Sequence, residues 1–206
     1  MLAQLGKRGE KLLNITINEW IKYGMMTENQ KETLLQGALN KKSIIILGEK
    51  HSGKTTLANT LMLELFSRNK RIFVLEYSED KKIYRNRQFK EKNLYFGKSF
   101  YMVSRFKPDV IIIDDNPYEH ILDKSRIVFS TNLITLKINN LEDFLKIIDK
   151  FSKEQEMLTV VRPLAERELG NLCYIVVITK ENNIRKIELK KICGFEKGEY
   201  IIENIE

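Results

Sequence analysis

Residues 43–67 read SIIILGEKHSGKTTLANTLMLELFS, and the organisation of the chain can be worked out from this stretch. It begins with a continuous apolar run, passes through a glycine-containing loop, and continues into Leu57, Leu61 and Leu65, which are spaced four residues apart. A short continuous apolar run is typical of a strand covered on both faces of a parallel sheet, and the leucine spacing is typical of an amphipathic helix. The stretch therefore predicts a buried strand, a glycine loop and a helix, in that order.

The loop matches the pattern G-x-x-x-x-G-K-[ST]. Glycines let backbone N–H groups curl around a phosphate, and the helix that follows adds the positive end of its dipole. In this pattern Lys54 neutralises charge on the β- and γ-phosphates, and the Thr55 hydroxyl is a ligand for Mg²⁺. We therefore predict that ATP and Mg²⁺ bind through Gly48, Glu49, Lys50, His51, Ser52, Gly53, Lys54, Thr55 and Thr56.

A second apolar run ends in two acids. Val110–Ile113 continues directly into Asp114 and Asp115. After a phosphate-binding loop, such a pair predicts one acid that orients Mg²⁺, for which Asp114 is the candidate, and one that acts on the attacking water, for which Asp115 is the candidate. The alternative interpretation is a pair of acids that face solvent at the end of a strand.

Glu76 follows a third apolar run, at residues 71–75. Ligands bind at the carboxyl edge of open parallel sheets, so Glu76 is a candidate contact for the water or the metal; a helix N-cap or a surface acid fits the spacing equally well. Four arginines are candidates for stabilising negative charge in the transition state, in their own subunit or across a subunit boundary: Arg85, Arg87, Arg105 and Arg126. The spacing does not select one of them.

Apolar runs that alternate with helical segments predict a three-layer α/β domain. A further helix is expected at residues 141–151, behind an Asn139–Asn140 cap. The highly charged residues 80–98 are expected to form a loop or an edge hairpin. The β-rich runs at residues 172–179 and 184–192 predict a C-terminal β-hairpin, with Gly194 and Gly198 marking a further turn.

The N-terminal segment carries two sequences of capping-box form, at residues 16–19 and 27–30, which predict short helices, the first ending at Gly24. We assign residues 1–42 to N-terminal linker helices and residues 43–206 to the P-loop domain. The nearby apolar side chains suit a core better than a partner surface: Trp20, Tyr23, Met25 and Met26.

The composition of the chain is typical of a globular protein. With 43% hydrophobic and 31% charged residues the chain is expected to be globular, and its net charge of +7 permits an acidic partner. Cys173 and Cys193 are interpreted as core thiols, and His51 and His120 as loop residues rather than metal ligands. The absence of a long apolar run or a signal-peptide pattern favours a cytoplasmic location, which includes the inner surface of a membrane.

Four segments together resemble the VirB11-like secretion ATPases, in particular the CpaF/TadA and TrbB branches. Residues 17–61 resemble the join between the linker helices and the nucleotide-binding domain, and residues 162–205 resemble the closing hairpin. The segment RIFVLEYSED resembles the family's acidic "Asp box". The segment SRFKPDVIIIDD resembles the family's R-x-x-P-D-x-I-I-V-G-E segment. The resemblance covers roughly residues 14–205. It places Glu76 on the leading acid of the Asp box, Arg105 on the arginine, Asp114 on the glycine and Asp115 on the glutamate.

The resemblance implies a RecA-like P-loop NTPase fold, a hexameric ring, and partners in secretion or pilus machinery at the inner face of a membrane. The sequence departs from the family in several places. The segment FSTNLITLKINN lacks the histidine of the family's "His box", so Lys137 or Asn132 would have to replace it. In addition, Asn116 stands where the family has an arginine, and His51 stands where it has a P-loop glycine. The family's large N-terminal domain and part of the segment between Asp115 and Ser125 are also missing. These departures affect the expected rate of catalysis more than nucleotide binding.

The leading hypothesis is therefore an ATPase motor subunit for type IV secretion, conjugative transfer or pilus assembly. One alternative is a nucleotide-binding assembly or regulatory module that hydrolyses ATP weakly or not at all, which the missing histidine favours. Another is a nucleic-acid-dependent NTPase, which the positive charge and the basic, aromatic residues 80–98 favour, although no base-reading motif accompanies them.

Overall fold

The computed structural model describes residues 15–75, 94–97, 103, 105–114, 131–156, 174–181, 184–196 and 199–206. Its helices include α1 (Ile17–Lys22), α2 (Glu28–Leu39), α3 (Lys54–Ser67) and α4 (Leu141–Glu156). Its strands are β1 (Ile44–Gly48), β2 (Ile72–Leu75), β3 (Leu94–Gly97), β4 (Val110–Ile113), β5 (Thr131–Leu136), β6 (Tyr174–Glu181), β7 (Ile184–Glu196) and β8 (Glu199–Ile205). Within these ranges, none of the helices has the length and apolar character needed to cross a bilayer.

In the described part of the chain the strands form one eight-stranded sheet in the order β3-β2-β4-β5-β1-β6-β7-β8. Neighbours from β3 to β6 run parallel, whereas β7 is antiparallel to both β6 and β8. The predicted C-terminal hairpin is therefore confirmed as β6 and β7, and β6 also extends the parallel sheet. Because β1, β4 and β5 are parallel neighbours, their carboxyl ends meet at one edge of the sheet.

Strand β1 divides its side chains between two hydrophobic cores. Ile44 and Ile46 pack in the core that contains α1, α2 and α3, while Ile45 and Leu47 pack in the core on the other face, with Phe144 of α4. This division follows from the alternation of side chains along a strand. Since helices cover both faces of the sheet, the predicted three-layer α/β architecture is confirmed.

The two N-terminal helices begin at the predicted capping boxes. The Thr16 hydroxyl accepts a hydrogen bond from the Glu19 N–H, and the Glu19 side chain accepts one from the Thr16 N–H. Thr27 and Gln30 form the same reciprocal pair at the start of α2. Gly24 has φ +66° just after α1, a left-handed conformation that suits glycine. Both helices contribute to the same core as α3. The division of the chain at residue 42 stays a prediction.

Apolar side chains of the N-terminal segment follow the core interpretation with one exception. Trp20 and Met26 are buried and Met25 packs partly against the core, whereas Tyr23 is 45% exposed at the end of α1. The cysteine interpretation is wrong for Cys193, which is exposed, because its neighbour Ile192 takes the buried side of the strand. Cys173 lies outside the described residues.

Two other expectations differ from the structure, and one strand was not expected. Leu94–Gly97, in the segment expected to be a loop or edge hairpin, forms an edge strand parallel to β2; the rest of residues 80–98 lies outside the described ranges. Gly194 lies inside β7 at a bulge rather than at a turn, because the register with β8 shifts there, and Gly198 is outside the described residues. Strand β5, between β4 and β1, was not predicted.

Candidate nucleotide-binding site

The glycine loop joins β1 to α3 at the carboxyl edge of the sheet. Gly48 has φ +152° and Gly53 has φ +112°. A Cβ atom on Gly48 would lie 2.6 Å from the Ser52 Oγ and 2.7 Å from the Ile178 carbonyl oxygen, so only glycine fits there. The predicted order of strand, glycine loop and helix is confirmed.

The amino end of α3 presents backbone donors toward this loop. Gly53 is its N-cap, and the Leu57 N–H donates to the Gly53 carbonyl at 2.9 Å in the first turn. No side chain from the described residues caps this end of the helix. The first N–H groups of a helix have no partner within the helix and attract anions. This end of α3 therefore has the chemistry required to bind a phosphate.

Lys54 extends back over the loop. Its Nζ donates to the carbonyl oxygens of Gly48, at 2.8 Å, and of Glu49, at 2.6 Å. The residue is only 6% exposed, so these carbonyls provide part of the solvation that the ammonium group loses on burial. The contacts place a positive charge beside the loop, where a bound phosphate requires one.

Asp114 lies directly beyond β4 and is bound by two hydroxyl groups. The Thr55 Oγ lies 2.8 Å and 3.0 Å from its two carboxylate oxygens, and the Thr135 hydroxyl donates to one of the same oxygens. Asp114 and Thr135 are both buried. The sheet order explains the meeting, because β4 and β5 are neighbours and β5 pairs with β1, which leads into the loop.

Thr55 and Asp114 suit a nucleotide-bound Mg²⁺ ion. A hydroxyl that donates to a carboxylate retains lone pairs for a cation, and Mg²⁺ prefers oxygen ligands, of which the protein typically supplies one or two while phosphates and water supply the rest. Among the residues that the structure describes, no group of three or more His, Cys, Asp or Glu side chains could hold a metal. The hydroxyl and carboxylate oxygens of the pair fit an ion whose other ligands are phosphate and water oxygens.

The other residues predicted to bind the nucleotide lie within the loop or in the first turn of α3. Glu49, Lys50 and His51 are exposed, and His51 lies in the loop as expected. The Ser52 Oγ is buried and has no hydrogen-bond partner among the described residues, which leaves a polar atom available inside the loop. Thr56 follows Thr55 in the first turn of α3 and is partly buried.

The remaining site candidates lie at either edge of the sheet or outside the described residues. Arg105 is exposed and comes shortly before the amino end of β4, at the opposite edge of the sheet from the loop. Lys137 is exposed just after β5, at the same edge of the sheet as the loop, because Leu136 pairs with Leu47. Asn132 lies near the amino end of β5, away from the loop. The candidates outside the described residues are Glu76, Asp115, Arg85, Arg87 and Arg126. Asn116 and His120, for which no site role was predicted, also lie outside the described residues. The catalytic roles of these residues stay predictions.

Sequence reasoning missed Thr135 and Arg185. Thr135 lies in the segment that resembles the His box, so that resemblance was a signal for a polar side chain near the loop, but it directed attention to Lys137 and Asn132. Arg185 lies on β7, and its Nε donates to the Ser52 carbonyl at 2.8 Å across 133 residues of sequence. No local pattern marks a contact over such a separation.

Known proteins resemble the chain in structure but not in sequence. No model of a protein family matches it, and no curated protein matches it. The crystal structure of the DotB ATPase from Legionella pneumophila superposes with a TM-score of 0.52 at 14% sequence identity. The VirB11 ATPase of the Brucella suis type IV secretion system, solved with sulphate, superposes with a TM-score of 0.56 at 15% identity. The chain has the fold of these two ATPases.

The expectation of a VirB11-like fold is therefore confirmed. The superposition with DotB covers 81% of this chain and 49% of DotB, and that with VirB11 covers 86% of this chain and 62% of VirB11. The chain thus spans about half the length of DotB and about three fifths of VirB11. At these identities the comparison establishes the fold.

Proposed function

We propose that this chain binds ATP with Mg²⁺ at residues 48–56 and hydrolyses it as a motor subunit of a type IV secretion, conjugative transfer or pilus-assembly machine. The observation that carries the proposal is the contact between Thr55 and Asp114 beside an uncapped helix end. The contact places a hydroxyl and a carboxylate together next to the phosphate-binding loop, where a nucleotide-bound Mg²⁺ requires ligands. The fold shared with DotB and VirB11, both ATPases, supports the same conclusion.

The proposed chemistry is in-line attack of water on the γ-phosphate. Lys54 and the loop amides stabilise the charge on the phosphates and hold them in line. Thr55 and Asp114 hold the Mg²⁺, which supplies further charge neutralisation when bound. Asp115 or Glu76 orients the attacking water. In this proposal the chain contributes positioning and electrostatics and forms no covalent intermediate.

We also propose that the chain works as a hexameric ring in the cytoplasm, against machinery at the inner face of the membrane. Arg105 bears on this assembly through its predicted role. A charge-stabilising arginine must touch the phosphates, and Arg105 lies at the opposite edge of the sheet from its own loop. If Arg105 has this role, it therefore acts in the site of a neighbouring subunit.

Phosphate release measured over a range of protein concentrations tests both parts of the proposal. A motor ring predicts turnover above that of a Lys54→Ala control, with an activity per chain that rises with concentration. Sedimentation with a non-hydrolysable ATP analogue should detect the ring, and only monomer at high concentration would contradict autonomous assembly. Nucleotide binding without turnover would instead support the non-hydrolysing module. Stimulation by DNA that disappears at high salt would support the nucleic-acid-dependent enzyme.

A further inference from the structure

A side chain of the C-terminal hairpin contacts the loop. Arg185, near the start of β7, donates its Nε–H to the Ser52 carbonyl at 2.8 Å. A Cβ atom on Gly53 would lie 3.4 Å from the Arg185 Nε and 3.5 Å from its Cδ, so the arginine lies against the Ser52–Gly53 peptide. No acidic side chain among the described residues forms a salt bridge with Arg185. Within these ranges, the contact with the loop is the one polar interaction that orients the guanidinium.

The direction of this hydrogen bond determines where the next amide points. A trans peptide unit is planar, and its C=O and N–H groups point in opposite directions. Holding the Ser52 carbonyl toward Arg185 therefore holds the Gly53 N–H on the opposite side. That N–H belongs to the N-cap residue of α3, among the donors that lack a partner within the helix.

The strand that carries Arg185 is itself attached to the N-terminal helices. The Ile187 N–H donates to the Met25 carbonyl at 3.1 Å, and the Gln30 side chain donates to the Ile187 carbonyl at 3.4 Å. Both backbone groups of a residue two positions from Arg185 are thereby held. The arginine is thus presented from a fixed strand rather than from a free loop.

Trp20 approaches the same glycine. A Cβ atom on Gly53 would lie 3.7 Å from the Trp20 ring, and the Trp20 Nε1–H donates to the Thr60 hydroxyl at 3.2 Å. Gly53 therefore has contacts from helix α1 and from the hairpin as well as from its own loop. Trp20 is the only tryptophan in the sequence, which makes its fluorescence a reporter for this point of the loop.

We propose that Arg185 is a positioning residue for nucleoside di- and triphosphates, which fixes the Ser52–Gly53 peptide so that the Gly53 amide is available to a phosphate. The inference rests on the proposed function of the loop. It assigns the C-terminal hairpin a part in nucleotide affinity, in addition to its part in the sheet.

The test compares Arg185→Met with wild type. Methionine retains an unbranched side chain that packs against Gly53 but lacks the N–H donors. We expect Mg·ATP and Mg·ADP to bind roughly tenfold to a hundredfold more weakly by calorimetry and by Trp20 fluorescence, with the unfolding midpoint retained. Lys186→Met, at the adjacent exposed position, makes the same change and should bind as wild type does.

A rescue experiment separates positioning from a structural role. In Arg185→Ala, added methylguanidinium should restore much of the lost affinity, because it can donate to the Ser52 carbonyl from the vacated space. It should not do so in Lys54→Ala. Arg185→Lys, which retains a cation and a donor, should bind more tightly than Arg185→Met.

Separate outcomes overturn the inference and the proposed function. If wild type binds and Lys54→Ala does not, wild-type affinity in Arg185→Met overturns the inference alone. Weak binding in Arg185→Ala that methylguanidinium leaves unchanged also overturns it. If Arg185→Ala does not fold, the affinity of Arg185→Met decides the question. If folded wild-type protein binds neither nucleotide, both the proposed function and the inference are wrong.

Discussion

The Thr55 hydroxyl lies 2.8 Å and 3.0 Å from the two carboxylate oxygens of Asp114. The two residues belong to different elements, the first turn of α3 and the carboxyl end of β4. They meet because the parallel strands end at one edge of the sheet, where the loop turns into the helix. The contact links the two sequence features that predicted a nucleotide site.

Replacing Asp114 should weaken Mg²⁺-dependent binding selectively. In Asp114→Ala the affinity for Mg·ADP should fall about tenfold to a hundredfold, because the ion loses an oxygen partner, while the affinity for ADP in EDTA should change little. Calorimetric titration under both conditions measures the difference. Glu196→Ala, which removes an exposed acid on β7, is the control. An equal loss with and without Mg²⁺ would contradict the metal role.

Thr135→Val tests whether the buried hydroxyl orients Asp114. The change preserves side-chain shape but removes a hydrogen-bond donor to a buried carboxylate, so the free energy of unfolding should fall by about 1–3 kcal/mol. Mg·ADP affinity should fall with it, and Thr135→Ser should recover both. Urea denaturation and calorimetry provide the measurements, with Thr179→Val on β6 as the control. Unchanged values in Thr135→Val would mean that Thr55 alone orients the carboxylate.

Lys54→Ala should remove most of the nucleotide affinity and leave the chain folded. The Lys54 ammonium group contacts the loop carbonyls, so its loss removes a cation beside the phosphates without opening a cavity in either core. Titration with Mg·ATP measures the effect. Lys50→Ala removes an exposed lysine from the same loop and should have a much smaller effect. A folded Lys54→Ala protein with wild-type affinity would refute the phosphate-binding assignment.

Gly48→Ala should disrupt the loop. Its added Cβ would meet the Ile178 carbonyl oxygen at 2.7 Å, and a backbone atom in a paired strand cannot move away easily. We expect a loss of about 3 kcal/mol or more in the free energy of unfolding, together with loss of nucleotide binding.

Gly24→Ala is the matched control for Gly48→Ala. Gly24 also has positive φ, but its added Cβ would have no heavy atom within 4 Å apart from its chain neighbours. The cost should therefore be limited to the left-handed backbone, about 1–2 kcal/mol, and binding should persist. Equal costs in the two variants would mean that backbone conformation, and not the clash, decides the effect at Gly48.

Features encoded locally were predicted well. The capping boxes at Thr16 and Thr27, the end of the first helix near Gly24 and the order of strand, loop and helix around Gly48 each depend on a few adjacent residues. The two-sided cores were also predictable, because a continuous apolar strand such as β1 has to be covered on both faces.

Features that depend on the assembled sheet were not predicted. Strand β5 mixes polar and apolar residues, and it is recognisable only once β4 and β1 lie on either side of it. Thr135 contacts Asp114 across 21 residues of sequence, and Arg185 contacts Ser52 across 133. Cys193 was assigned to the core on composition, but strand alternation beside buried Ile192 turns it toward solvent.

The acids near the sheet edge distinguish a motor from a scaffold. In one phosphate-release assay, Asp115→Asn should retain ATP binding and lose turnover, because an amide keeps the shape and hydrogen bonding of the side chain but cannot accept a proton from the attacking water. Asp114→Asn should lose turnover together with Mg²⁺-dependent affinity, since its carboxylate is already bound to Thr55.

Glu76→Gln completes the comparison. If Glu76→Gln is inactive and Asp115→Asn is active, then Glu76, and not Asp115, orients the attacking water. Without the histidine of the His box, and with an aspartate one methylene shorter than the family's glutamate, wild-type turnover should be slow and should rise with partners.

If wild type gives no more phosphate than Lys54→Ala, with or without partners, the chain binds nucleotide as an assembly module. If Asp114→Asn alone is inactive and Mg²⁺-dependent affinity is unchanged in that variant, Asp114 acts on the water and the assignment of the two acids shifts by one residue.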